Sequence, residues 1–237
     1  MSSITAPRFA RQPRSARTAP SLPLLLAETP GVLKLHFGWA AARSRDDVGG
    51  GRPVLVLPGF LANDRSTRML RAGLTEAGFV AYGWGLGRNR GITAQTLDRI
   101  TTLADRIALD DPRPLTVVGW SLGGLIAREF AKRAPGRIAR VVTLGSPFSG
   151  DMRANNAWRL YEWVAGHPVD APPIDCRLGE KPPVETIALW SRRDGVVSYR
   201  SARGERHEVD RAIEVGCSHL GFATDRRAIE AVIAAAT

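Results

Sequence analysis

The chain has 237 residues, 44% of them hydrophobic, with a formal charge of +10, values that fit a single globular domain with a full core. Seven Lys/Arg against one acid, Glu28, place +6 of that charge within residues 1–45, so the excess belongs to a tail and does not mark a folded nucleic-acid reader. No run approaches the roughly 18 apolar residues of a membrane-crossing helix, Leu22 to Ala27 is broken by Pro23 and too short for a signal-peptide core, and the two cysteines form no disulfide framework or metal motif; a cytoplasmic protein is expected.

In chain order, Arg8, Arg11, Arg14 and Arg17 lie among Pro, Ser and Ala, so residues 1–30 read as a solvated, flexible basic arm, with weak contact to an anionic surface as its expected use. The folded domain takes residues 31–237. Pro53 to Leu57, ahead of Pro58-Gly59, is a continuous apolar run suited to a strand buried on both faces. Similar runs follow at Gly78 to Trp84, Leu115 to Trp120, Ile138 to Leu144, Val184 to Trp190 and Ala212 to Gly216. Between them lie helical patterns, clearest over Thr93 to Leu109, where Leu97, Ile100, Leu103, Ala104 and Ile107 share a face. A last helix starts near Thr224-Asp225 with Thr224 as its N-cap. Alternating strands and helices predict an α/β fold: a mostly parallel sheet of about six strands with helices on both faces. Residues 147–183 break the pattern as a small lid-like insertion, with a short amphipathic helix over Ala154 to Ala165 carrying Trp158, Tyr161 and Trp163 and then a proline-rich return.

The chemistry centres on Leu115-Thr116-Val117-Val118-Gly119-Trp120-Ser121-Leu122-Gly123-Gly124. A β-branched run enters a Gly-x-Ser-x-Gly pentapeptide, and Leu122, Leu125, Ile126 and Phe130 then recur at helical spacing until Pro135-Gly136. A serine at such a strand-to-helix turn holds its hydroxyl clear of the backbone, and the two glycines remove Cβ atoms that would crowd it. Ser121 is the candidate nucleophile. Serine needs a base and an orienting carboxylate, and in parallel α/β sheets the site lies beyond the carboxyl ends of the strands. Asp194 follows the fifth strand and His219 the sixth, which gives Ser121, Asp194 and His219 in nucleophile, acid, base order. His36, His167 and His207 are less well placed, and Asp170 and Asp175 are reserve acids. For the oxyanion, the backbone N–H of Leu122 is one donor, and the loop after Leu57 supplies the second at Phe60.

These residues resemble an α/β-hydrolase of the lipase and esterase branch over roughly residues 53–237. The resemblance rests on Gly119-x-Ser121-x-Gly123, Pro58-Gly59-Phe60, Thr143-Leu144-Gly145-Ser146-Pro147, Ser191 to Val197 and Ser218-His219-Leu220-Gly221. It implies a cofactor-free serine hydrolase acting on carboxylic esters through an acyl-Ser121 intermediate. Pro58 stands where many lipases carry a histidine, which removes what that histidine steadies. Trp120, Trp158, Tyr161 and Trp163, with Phe60, are expected to contact a lipophilic small-molecule substrate. Acyl transfer or thioester cleavage by the same three residues, and a non-catalytic binding module of this fold, are the alternatives. No phosphate loop exists, Gly83-x-Gly85-x-Gly87 lacks the dinucleotide spacing, and no His-Glu-x-x-His or Cys-x-x-Cys pair occurs, so neither metal nor nucleotide nor nucleic acid is expected. Cys176 and Cys217 read as isolated buried thiols.

Overall fold

Residues 19–31, 47–150, 153, 155–158, 161, 162, 174 and 176–237 are described in the computed structural model of the protein. The apolar runs form β1 Pro53–Leu57, β2 Val80–Gly83, β3 Leu115–Trp120, β4 Ile138–Leu144, β5 Glu185–Trp190 and β6 Arg211–Glu214. They make one sheet in the order β2-β1-β3-β4-β5-β6, with every pair parallel. The inner runs are apolar throughout because both faces are covered. Leu55, Leu57, Val117, Val141 and Ala188 face one core, while Val54, Val56, Val118, Val142 and Ile187 face the other.

The helices are α1 Leu22–Leu26, α2 Arg68–Glu76, α3 Ala94–Asp110, α4 Leu122–Arg133, α5 Tyr199–Arg203 and α6 Arg226–Ala236. α3 and α4 bury Leu97, Ile100, Ile107, Leu125, Ile126 and Phe130 in the first core. α2 and α6 bury Leu70, Leu74, Ile229, Val232 and Ile233 in the second. The expected layering of helices on both faces is therefore present. Strand order changes direction between β1 and β3, which opens a crevice at their carboxyl ends, and Leu57 is in register with Gly119 there.

Several boundaries differ from the sequence expectation for physical reasons. β2 and β6 are shorter than the runs that predicted them, because an outer strand has one neighbour and its ends lack a second ladder partner. Asp225, not Thr224, caps α6. Its backbone is extended and its Oδ1 accepts the N–H groups of Arg227 and Ala228 at 2.9 and 3.2 Å, whereas the Thr224 hydroxyl donates to Leu220 O. Residues 19–31 are not part of a free arm: α1 and the turn after it pack on the loop that follows β5. A Cβ on Gly195 would fall 2.2 Å from Leu24 O, and Asn156 Nδ2 donates to both Pro20 O and Gly195 O. Residues 1–18, which hold the four arginines of the arm, lie outside the described residues, as does half of the helix expected over Ala154 to Ala165; Trp158, Tyr161 and Glu162 of it are helical.

The return of the insertion is fastened from below by Arg128 of α4. This guanidinium is completely buried and lies 4.2 Å from the Phe148 ring centroid. It donates to the carbonyls of Leu178, Glu180 and Glu208, and burial lowers its pKa to about 10, against the attraction of Glu208 and Glu129. At that value it remains charged at neutral pH, held by carbonyl dipoles.

Candidate active site

β3 ends at Trp120 and α4 begins at Leu122, so one residue must turn the chain. Ser121 does so at φ 55°, ψ −120°, a conformation that L-residues avoid and that persists only when the surroundings fix it. They do. Ser121 N–H donates to Leu144 O at 2.8 Å. A Cβ on Gly119 would come within 2.4 Å of the Gly123 carbonyl oxygen, and one on Gly123 within 2.3 Å of Leu57 O, so strand, helix and the loop after β1 meet backbone to backbone. Only glycine permits that approach.

Phe60, Ser121 and Leu122 line one cleft. Leu122 N–H is an unpaired first-turn amide of α4, and among the described residues neither it nor Phe60 N–H donates to a protein acceptor. The two amides are thus available to a negative oxygen beside Ser121. Asn89 takes over the support of the loop in which Pro58 replaces histidine. It is fully buried, its Nδ2 donates to Pro58 O at 2.7 Å, its carbonyl accepts Leu61 N–H and its N–H donates to Ala62 O. Leu61, at φ 56°, is the other described non-glycine residue with positive φ, and these bonds hold it there.

Asp194 is 2% exposed. Its Oδ1 accepts Val196 and Val197 N–H at 2.8 and 2.7 Å, which leaves Oδ2 for His219 Nδ1 at 2.8 Å. His219 is 4% exposed and is held on three sides. Its ring meets Asp194, its carbonyl accepts the Trp120 indole N–H at 3.1 Å, and its N–H donates to a Glu28 carboxylate oxygen at 2.6 Å. Burial opposes the imidazolium, but the charge and hydrogen bond of Asp194, with Glu28 adding its charge, outweigh it and raise the His219 pKa above the ordinary 6.5. Ser121 Oγ makes no hydrogen bond among the described residues, with His219 or any other group. The structure therefore joins Asp194 to His219 and sets Ser121 on the same rim with the serine-to-imidazole bond unmade; such bonds are often long in unliganded sites and tighten on substrate.

The cleft wall is almost entirely apolar. Trp158 and Tyr161 line it, with Ile92, Leu125, Pro147, Asn155, Cys176, Leu178, Val196 and Val197. Tyr161 tilts onto Phe60 at 5.3 Å between ring centroids, and burial pushes its hydroxyl pKa up to about 12. Trp120 is not a wall residue. It is buried in the second core, and its indole works on His219 from behind. Trp163, Asp170, Asp175, His36 and His167 lie outside the described residues, and His207 is exposed. Cys176 and Cys217 are buried and form no disulfide, and burial raises the Cys217 pKa strongly, so its thiol stays protonated and does not compete as a nucleophile. Asn89 and Glu28 escaped sequence reasoning. Asn89 sits in the arginine- and glycine-rich loop 87–91, and Glu28 was only the one acid of a basic segment.

Asn89→Ala removes the donor to Pro58 O and leaves that loop free to drift from Ser121. It is expected to lower kcat for an ester about tenfold or more with a smaller change in KM, as loss of a positioning contact does. Because the base must be neutral to accept a proton and its pKa is raised, the rising limb of kcat/KM against pH is expected above 6.5. The same shift stabilises the fold fully below pH 6.5, and that contribution is lost as pH rises through the folded-state pKa; a thermal melt measured as a function of pH reads it.

A family profile described as alpha/beta hydrolase fold matches residues 53–172. Among curated proteins, pimeloyl-[acyl-carrier protein] methyl ester esterases are similar. The one from Photobacterium profundum is 33% identical over 115 residues, 47% of this chain and 42% of its own length. That from Sodalis glossinidius is 42% identical over 62 residues, 26% and 23% of the two chains. The chain thus spans less than half of the length of these relatives. Among solved structures, one reported for LipS and LipT, two metagenome-derived lipolytic enzymes, superposes with a TM-score of 0.58 at 17% identity, over 83% of this chain and 97% of that one. Carboxylesterase CesB from Bacillus subtilis does so with a TM-score of 0.54 at 13% identity, over 91% and 98%. With a parallel sheet in this order, a one-residue strand-to-helix turn at Ser121 and a profile match across half its length, the chain belongs to the α/β hydrolase fold family.

Proposed function

We propose that the protein is a serine hydrolase of carboxylic esters, in which Ser121 is the nucleophile, His219 the base and then the acid, and Asp194 the residue that orients it. The observation that carries this reading is the buried Asp194–His219 pair at the rim where a strained serine lies beside two unpaired amides. His219 Nε2 takes the Ser121 proton as Oγ attacks the ester carbonyl, and Asp194 stabilises the imidazolium that forms. The carbonyl oxygen becomes negative between Phe60 and Leu122 N–H. The imidazolium returns its proton to the departing alcohol, leaving acyl-Ser121. Water then attacks the acyl carbon, giving its proton to His219, and the carboxylic acid leaves as Ser121 regains a proton.

The apolar wall of Phe60, Trp158, Tyr161, Leu178 and Val197 favours a lipophilic acyl group, since it offers few polar partners to a hydrophilic one. Relatives named as methyl ester esterases of an acyl chain agree with a small alcohol leaving from a longer acyl group. Two buried cysteines that form no disulfide suit a reducing, cytoplasmic setting, and among the described residues no helix is long and apolar enough to cross a membrane. Arg8, Arg11, Arg14 and Arg17 supply a weak attraction to anionic surfaces.

Ser121→Ala is expected to lower hydrolysis of a short p-nitrophenyl ester by about 10^4-fold or more and to abolish labelling by a fluorophosphonate probe. Full activity in that variant, or a wild type that the probe leaves unlabelled, would remove the reading; the second result points to a binding module. Deleting residues 1–18 is expected to weaken retention on anionic vesicles at low salt while ester turnover is kept, and equal retention ends the role of the arginines.

A further inference from the structure

Glu28 is the single acid among seven basic residues in the first 45, yet it is 5% exposed and no cation is paired with it among the described residues. Its carboxylate accepts three backbone N–H groups. Oε1 takes Gly195 at 2.9 Å and His219 at 2.6 Å, and Oε2 takes Leu220 at 3.0 Å. One donor follows Asp194 directly, one belongs to His219 itself, and the third follows it. A side chain from the start of the chain therefore bridges the loop after β5 and the loop after β6, more than 160 residues away.

Close backbone approach on both sides shows how tightly the segment is seated. A Cβ on Gly195 would fall 2.2 Å from Leu24 O, and one on Gly31 would fall 2.7 Å from Leu220 Cβ. Charge-assisted bonds from backbone amides to a buried carboxylate are short and directional, so they fix where the two loops stand relative to each other. The Asp194–His219 bond needs that relation, because its two partners sit on different loops.

We propose that Glu28 is a positioning residue of the site, fastening the base loop to the acid loop so that the His219 ring is held against Asp194 with its other nitrogen free. This rests on the serine-hydrolase reading above. Glu28 and Asp194 are the charged groups that act on the imidazole; the facing Trp120 is neutral, and Cys217 stays protonated. The bridge therefore has an electrostatic consequence that simple packing lacks. Removing the Glu28 charge leaves Asp194 as the one negative group beside the base, so His219 gives up its proton at lower pH.

The test compares wild type, Glu28→Gln and Glu28→Asp with a short soluble ester, rates being expressed per active site titrated with a fluorophosphonate so that unfolded molecules are not counted. His219 is also titrated directly by NMR. Glu28→Gln is expected to lose about tenfold or more in kcat with KM within about twofold. Both the rising limb of kcat/KM and the imidazole titration move to lower pH. Glu28→Asp keeps the charge but not the reach, so kcat falls while the limb stays near its wild-type position. Wild-type kcat per site in Glu28→Gln overturns the proposal, and so does a loss of turnover with the limb and the His219 titration unmoved, which is the mark of packing alone. Should Glu28→Gln fail to fold, Glu28→Asp decides: wild-type kcat per site overturns the proposal and reduced kcat with the limb in place supports it. A wild type that neither hydrolyses esters nor takes the probe sinks the hydrolase reading, while the NMR titration still reports whether Glu28 acts on the imidazole.

Discussion

The architecture of the site follows from a turn of one residue. β3 and α4 are both committed by their apolar patterns, β3 to both cores and α4 to the first, and only Ser121 remains between them. A reversal that short forces φ positive and brings the start of α4 against the end of β3 and the loop after β1. The glycines at 119 and 123 answer that crowding, and the unpaired amide of Leu122 is a by-product of starting a helix there. The exposure of the Ser121 hydroxyl, the unpaired Leu122 amide and the glycine spacing are thus one geometric fact.

Everything else at the rim must be brought to that fixed point, and this is done by buried polar side chains that hold backbone rather than one another. Asn89 holds Pro58 O and brackets Leu61, Asp194 curls its own loop through Val196 and Val197 N–H, Trp120 holds His219 O, and Glu28 spans the acid and base loops. Each such bond fixes a loop whose sequence carries no regular structure of its own. Loops placed this way are as precise as the scaffold from which the side chain comes, and three of the four scaffolding residues adjoin the carboxyl ends of strands.

The difference between what could and could not be read from the sequence follows the same division. Buried parallel strands and amphipathic helices leave periodic patterns, so β3, β4 and α3 are legible almost to the residue, and the strand-end rule locates Ser121, Asp194 and His219. Side chains that hold distant backbone leave no period. Asn89 lies in a loop of arginine and glycine, and Glu28 is separated from its partners by most of the chain, so a local view of a basic segment with one acid suggests an arm where the fold has a bridge. Trp120 shows the same limit. An aromatic beside the nucleophile suggests a substrate wall, but in a strand the side chain next to an exposed one points to the opposite face, here into the second core.

Two buried charges outside the Asp194–His219 pair, those of Arg128 and Glu28, are handled alike, and the choice matters for the chemistry. Arg128 donates to three carbonyls and Glu28 accepts three amides, so each charge meets backbone dipoles, and neither forms an ion pair with an opposite side chain among the described residues. A cation paired with Glu28 would have cancelled its field at the imidazole next door. With amides as its partners, Glu28 has no cation between it and the imidazole among the described residues. Asp194 and Glu28 then act in the same direction on a buried ring that desolvation alone would keep neutral, one carboxylate bonded to the ring and one to its backbone.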